Sequence, residues 1–258
     1  MGSIYDHFKN LLLAIGLTIF VFNLAGAQSK KSQTMKKKIL FVVTSHDKKG
    51  STGEPTGYYL GEVSHPWEVL HNAGYEIDFV SPQGGKAPVD GFNLDDSVNN
   101  KFWNDKTHRH KVENTLKPSQ VNPKEYVAIF YAGGHGAMWD FAENVTLAEI
   151  AKIIYESNGV VGAVCHGPAG LVNIKLSNGK YLVEGKKINA FTNEEEIAVG
   201  LEKVVPFALE TKLIERGAKF EKSGLWQNHV ATDSRIVTGQ NPQSAKSVGE
   251  AMLSLLSR

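Results

Sequence analysis

Gly159 to Val164 is an apolar run of small and β-branched residues that leads without a spacer into Cys165-His166-Gly167-Pro168. Such a run, bounded by glycine, predicts a central parallel strand buried on both faces. Gly167 and Pro168 then open a helix, since the N–H that proline lacks would have no partner in the first turn. Cys165, the only cysteine in 258 residues, stands at that junction, where unpaired N–H groups and the helix dipole favour thiolate over thiol. A lone cysteine is more often a small buried hydrophobe. The adjacent His166 and the turn glycine favour a nucleophile elbow instead, although the Gly-x-Ser-x-Gly pattern is absent.

The surrounding chain alternates strand and helix patterns. Lys38 to Thr44 reads as a strand, Gly57 to Ala73 carries helical apolar spacing, and Tyr75 to Val80 is a second strand closed by Ser81-Pro82. Tyr126 to Tyr131 is a third strand, ending in Ala-Gly-Gly-His-Gly, and Leu147 to Tyr155 is a helix leading back to the Cys165 strand. Further on, Lys187 to Thr192 reads as another strand and Asn193 to Gly217 as largely helical. Val230 to Val237 contains a turn at Asp233-Ser234, and Pro242 to Leu256 is a closing helix. The expected fold is α/β, a mostly parallel sheet sandwiched by helices, with ligands at the carboxyl ends of the strands. Asp90 to Lys117 is less regular and reads as an insertion, spanning about residues 90–122, that covers the site as a lid. Within it, His108 and His110 are two apart and diverge, so no metal is expected there.

Composition narrows the function classes. With 41% hydrophobic and 21% charged residues and a net charge of +1, the chain can bury a core and has no electrostatic bias toward nucleic acid. Leu11 to Phe22 is an apolar stretch of signal-peptide length, and Ala25-Gly26-Ala27 fits small-x-small cleavage before Gln28. Residues 1–27 are therefore expected to be a signal peptide, 28–36 a flexible leader and 37–258 one domain, in an exported, periplasmic protein. An uncleaved leader acting as a membrane anchor is the alternative; its apolar core is shorter than the roughly 20 residues a spanning helix needs. A single thiol in an exported chain has no intramolecular disulfide partner, which leaves intermolecular pairing or a reactive group.

Four segments in order carry a family resemblance: Gly61-Glu62-Val63-Ser64-His65-Pro66, Ala132-Gly133-Gly134-His135-Gly136, Ala163-Val164-Cys165-His166-Gly167-Pro168-Ala169 and Val237-Thr238-Gly239-Gln240-Asn241-Pro242. From about Lys38 onward the chain resembles the ThiJ/PfpI superfamily, with its flavodoxin-like, class I glutamine amidotransferase-like fold, and within it the glyoxalase III and stress-chaperone branch. The resemblance implies that Cys165 is the nucleophile, His166 the triad histidine, Glu62 the acid approaching the thiol and Glu196 the third triad member, with Glu194 and Glu195 as near alternatives. Unaided, the Glu194-Glu195-Glu196 run reads as surface charge opening a helix.

Gly133, Gly134 and the N–H of His166 are expected to form an oxyanion hole. His135 either lines the pocket or hydrogen-bonds its own loop; Trp67, Trp103, Trp139 and Trp226 shape a pocket or fill the core, the more common fate of large aromatics, and of these Trp139 is the named pocket candidate. The implied chemistry is attack of Cys165 on a small 2-oxoaldehyde such as methylglyoxal, proton transfer by Glu62 or His166, and release of a 2-hydroxy acid, D-lactate. No cofactor, glutathione or metal is expected; a homodimer is expected by resemblance. Rival readings are a cysteine peptidase or amidase, a deglycase of glycated proteins, a holdase for misfolded proteins that is independent of Cys165, and an oxidation sensor at Cys165.

Overall fold

In the computed structural model, which describes residues 37–258, alternate residues of strand β1 (Lys38–Val42) serve two cores. Ile39 and Phe41 enter one apolar cluster, Leu40 and Val42 the other, and all four are fully buried. That is the period-two consequence of a strand covered on both faces. The chain continues through β2 (Tyr58–Tyr59), α1 (Leu60–Asn72), β3 (Glu76–Val80), β4 (Val89–Asp90), α2 (Ser97–Asn104), α3 (Lys106–Glu113), β5 (Tyr126–Tyr131), α4 (Ala137–Asp140), α5 (Val145–Glu156) and β6 (Val160–Val164). It closes with β7 (Lys187–Ile188), α6 (Asn193–Ala198), α7 (Leu209–Glu215), β8 (Lys219–Phe220), β9 (Val230–Asp233), β10 (Ile236–Gly239) and α8 (Ala245–Leu256).

Six strands form the main sheet in the order β3-β1-β5-β6-β10-β9, parallel except for the β9–β10 hairpin. The hairpin turns at Ser234, whose φ of 56° is left-handed, at the predicted turn. Helices α1 and α8 cover one face with Leu60, Val63, Trp67, Val248 and Met252; α5 and α7 cover the other with Leu147, Ile150, Leu209 and Leu213. Strand order reverses around β1, which lies between β3 and β5. Loops leaving the carboxyl ends of β1, β5 and β6 therefore meet in one crevice.

Three sequence expectations need correction. Lys187 to Thr192 does not join the main sheet: only Lys187–Ile188 is strand, and it pairs in parallel with β8 in a separate two-stranded ladder. Phe191 is instead drawn to the site, where its N–H donates to the Cys165 carbonyl at 2.8 Å, and Asn189 donates to the Thr238 hydroxyl and the His229 carbonyl. Asn193 to Gly217 is broken into α6 and α7 by residues 199–208. The 90–122 insertion is more regular than its composition suggests, because Asp96 and Asp105 cap α2 and α3 by accepting from backbone N–H groups. Its buried residues Phe102 and Val112 join the core on the α1 face. Only Asp90 of the insertion lines the cavity at Cys165. The proposed signal peptide and leader lie outside the described residues, and no helix among the described residues is long and apolar enough to cross a membrane.

Candidate active site

Cys165 occupies the step between β6 and a short 3-10 turn, Gly167–Leu171, with φ at +59°. A non-glycine residue in the left-handed region costs roughly 1–3 kcal/mol and persists only where its surroundings fix it. Here the Cys165 N–H donates to the Gly239 carbonyl at 2.9 Å, and its carbonyl accepts from Phe191. Gly167 lets the chain pass beneath: a Cβ there would collide with the Tyr131 carbonyl oxygen.

The thiol is not held as the sequence suggested. The expected helix is a 3-10 turn of five residues, too short to carry a substantial dipole. Burial pushes the Cys165 thiol well up, and the Glu62 carboxyl adds to it, against opposing hydrogen bonds from the Gly134 and His166 N–H groups. Those two N–H groups converge on the sulfur. Gly133, expected beside them, serves the other wall of the site. Its N–H approaches the Glu62 carboxyl, and a Cβ at Gly133 would overlap a Glu62 oxygen and crowd the Cys165 Cβ.

Glu62, in the first turn of α1, is fully buried, and neither carboxyl oxygen has a hydrogen-bond partner of good geometry among the described residues. Burial raises its pKa to about 8, with nearby Asp90 adding to the rise and the thiol and Gly133 opposing it. The helix N-terminus favours the anion by about 2 kcal/mol at most in buried positions. Desolvation of a carboxylate costs several-fold more, so the acid form prevails at neutral pH.

The second glutamate is driven the opposite way. His166 Nδ1 lies 3.4 Å from Cys165 Sγ, and its Nε2 lies 2.8 Å from Glu196 Oε2. The other oxygen of Glu196 sits 3.0 Å from His135 Nε2. Burial raises the Glu196 pKa, but the two imidazoles outweigh it and bring it down to about 2. An ionised carboxylate only accepts, so both Nε2 atoms carry the hydrogen, and His166 is left with an unprotonated Nδ1 facing the thiol. Burial first, then His135, lowers the His166 pKa to about 4, which keeps it neutral.

The three consecutive glutamates have three fates. Glu194 is at the surface, 3.2 Å from Lys222. Glu195 is fully buried and structural. It closes a capping box with Thr192, and its Oε1 accepts from the Trp226 N–H, Gln240 and Asn241 at 2.8–3.0 Å. That carboxylate ties α6 to two loops and so aims Glu196 at His166.

A cavity of about 400 Å³ opens above the sulfur, lined among others by Tyr59, Glu62, His135, His166, Phe191 and Trp226. Trp139 is not among its walls; it stacks on His46 at 5.0 Å. Trp226, another of the tryptophans weighed for pocket or core, takes the wall position, with φ at +61° and its backbone held by Glu195. Outside the cavity, His71, Asp105 and His108 bring their ligand atoms within 4.8 Å, a two-histidine, one-carboxylate set able to hold a transition metal. Sequence reading paired His108 with His110 and missed this set, because His71 comes from α1 only through the fold.

Fold and site together define an α/β protein of the cysteine-elbow class. The sequence profile of the DJ-1/PfpI family matches residues 56–255, and the chain belongs to that family. It is 37% identical over 226 residues to the glutathione-independent glyoxalase HSP31 of Saccharomyces cerevisiae, across 82% of this chain and 94% of the relative. Among solved structures, rapid encystment protein 24 kDa (REP24) of Francisella tularensis matches with a TM-score of 0.82 at 43% identity, over 85% of this chain and 99% of that one. Glyoxalase III of Candida albicans matches at 0.78 and 33%, over 85% and 97%.

Glu195→Ala strands several buried donors and is expected to destabilise the protein by about 3–5 kcal/mol in urea denaturation, whereas Glu194→Ala stays within about 0.5 kcal/mol. Glu62 gives a pH signature. Its folded pKa of about 8 lies above the unfolded value, so its contribution to stability is full at low pH and is lost as pH rises toward 8. Glu62→Gln is therefore expected to raise Tm relative to the parent at pH 8 and to leave it nearly unchanged at pH 5; a gain that is equal at both pH values would remove the titration of Glu62 as its cause.

Proposed function

We propose that this protein is a glutathione-independent glyoxalase that converts methylglyoxal-type 2-oxoaldehydes to 2-hydroxy acids, D-lactate from methylglyoxal. The observation that carries the reading is Glu62, a fully buried carboxyl without a good partner beside a 4%-exposed thiol. A fold gains no stability from such a group, and an isomerisation that moves a proton between adjacent carbons needs one. The resemblance to HSP31 and to the Candida glyoxalase III supports it.

In this reading Cys165 adds to the aldehyde carbon as His166 Nδ1 takes the thiol proton and passes it to the aldehyde oxygen, held by the N–H groups of Gly134 and His166. Glu62, in its ionised form, removes hydrogen from that carbon and returns it to the neighbouring carbon through an enediol. The first carbon is oxidised to a thioester and the second reduced to an alcohol, so no external oxidant or reductant enters. Cys165 supplies the thiol that glutathione would otherwise provide. Water then cleaves the thioester. Glu196 holds the tautomer of His166.

The buried sulfur disfavours a peptidase acting on large substrates. The exposed apolar residues Ile197, Val199, Leu225 and Trp226 support a second reading, a holdase for misfolded proteins. A homodimer and an exported, periplasmic location belong to the same proposal, the latter on the strength of Leu11 to Phe22 and Ala25-Gly26-Ala27.

Two measurements test these readings. Purified Gln28 to Arg258 is expected to form D-lactate from methylglyoxal without glutathione, and Cys165→Ser to form none. A folded, reduced parent that makes no lactate overturns the glyoxalase, and suppression of aggregation by Cys165→Ser then supports the holdase. N-terminal sequencing of the protein from its producing cells is expected to begin at Gln28; an intact Met1 overturns cleavage.

A further inference from the structure

The proposed reaction leaves one proton task unassigned. Addition and isomerisation return every proton to the substrate, but thioester hydrolysis adds water and yields an ionised hydroxy acid, so one proton leaves the buried site per turnover. Glu62 and His166 are both fully buried and engaged with the sulfur. The water that attacks needs a base that also reaches solvent.

His135 has the required placement. It lines the same cavity as Cys165, its side chain is 17% exposed, and its ring lies 4.1 Å from that of His166, centre to centre. Its Nε2 faces the ionised Glu196 at 3.0 Å and so carries the hydrogen. Nδ1 is then the unprotonated atom, with no hydrogen-bond partner among the described residues and no place among the buried orphans. Glu196 thus sets the tautomers of two imidazoles at once, one with Nδ1 directed at sulfur and one with Nδ1 unpartnered among the described residues on a side chain that lines the cavity.

We propose that His135 is the general base of the deacylation step, taking a proton at Nδ1 from the water that attacks the Cys165 thioester. The O–C bond forms, the C–S bond breaks, the second proton of the water passes from the forming carboxyl through His166 Nδ1 to sulfur, and the hydroxy acid leaves as its anion while His135 releases the first to solvent. The inference rests on the glyoxalase reading and goes beyond it by dividing the two half-reactions between two histidines.

The test is acid-quenched intact-mass analysis of the parent and His135→Gln turning over methylglyoxal, together with steady-state lactate formation. The expected result is a loss of about 10²-fold or more in turnover, with accumulation of a Cys165 adduct that hydroxylamine removes, as it does a thioester. His135→Ala supplied with imidazole is expected to recover part of the rate, since the vacated space admits a free base. Unchanged turnover in His135→Gln overturns the inference. So does lost turnover without an acyl adduct, which would mean that His135 only positions Glu196 and His166. A parent that forms no lactate removes the glyoxalase reading, and the inference with it; a parent that forms lactate beside an unaffected His135→Gln removes the inference alone.

Discussion

The backbone of Cys165 is the constraint on which the site depends. Its left-handed φ turns the side chain out of β6 and brings the next residue, His166, round to face the sulfur at 3.4 Å. Two backbone hydrogen bonds, to Gly239 and from Phe191, hold that conformation from opposite sides. Each contributes about 1 kcal/mol net, enough together to offset a strain of roughly 1–3 kcal/mol. The partners come from β10 and from the segment before α6, so the conformation of the elbow depends on chain that follows it in sequence.

The neighbouring acidic residues divide the work of stability and chemistry. Glu195 is a buried carboxyl that accepts from donors of three separate segments, at Thr192, at Trp226 and at Gln240 and Asn241. Glu62 is equally buried and has no such donors. Sequence cannot tell these apart, since both are glutamates in the first turn of a helix. What separates them is the surrounding chain: Asn241, Gln240 and the Trp226 N–H reach Glu195, while Gly133 and the thiol are the nearest polar neighbours of Glu62.

Legibility from the sequence follows the range of the interactions. β5 lies where Tyr126 to Tyr131 placed it, and β1, β3, β6 and α5 lie within two residues of their predicted bounds, because continuous apolar runs and helical spacing are local signals. Lys187 to Thr192 misled for the same reason. Its pattern suits a strand, but its Asn189 N–H is taken by the Thr238 hydroxyl and its Phe191 N–H by Cys165, so tertiary bonds replace a ladder. Cys165 and His166 were readable as motif positions, and Glu196 only through the resemblance, with Glu194 and Glu195 as alternatives; the structure brings the three together. The choice of Trp226 over Trp139 for the pocket wall, and the His71, Asp105 and His108 set, were not readable, since nothing in their local sequence announces a neighbour more than thirty residues away. The expected thiolate failed on magnitude: a 3-10 turn supplies little dipole, and burial of the sulfur outweighs it.

Two carboxyls on opposite sides of one thiol, held near 8 and near 2, give the site its directionality. In the proposed reaction the group that removes and returns one proton must be near balance at working pH, and desolvation, with Asp90 adding to it, brings Glu62 there. A group that orients imidazoles must stay ionised through every step, and Glu196 is held so by the two rings it orients. Exchange of these environments would leave the same residues with no chemistry: an always-ionised Glu62 would repel a forming thiolate, and a protonated Glu196 would release the tautomers of both histidines. The specificity of this arrangement lies in which carboxyl the fold leaves without donors. Gly133 decides that, because a side chain there would fill the space in which Glu62 meets the sulfur.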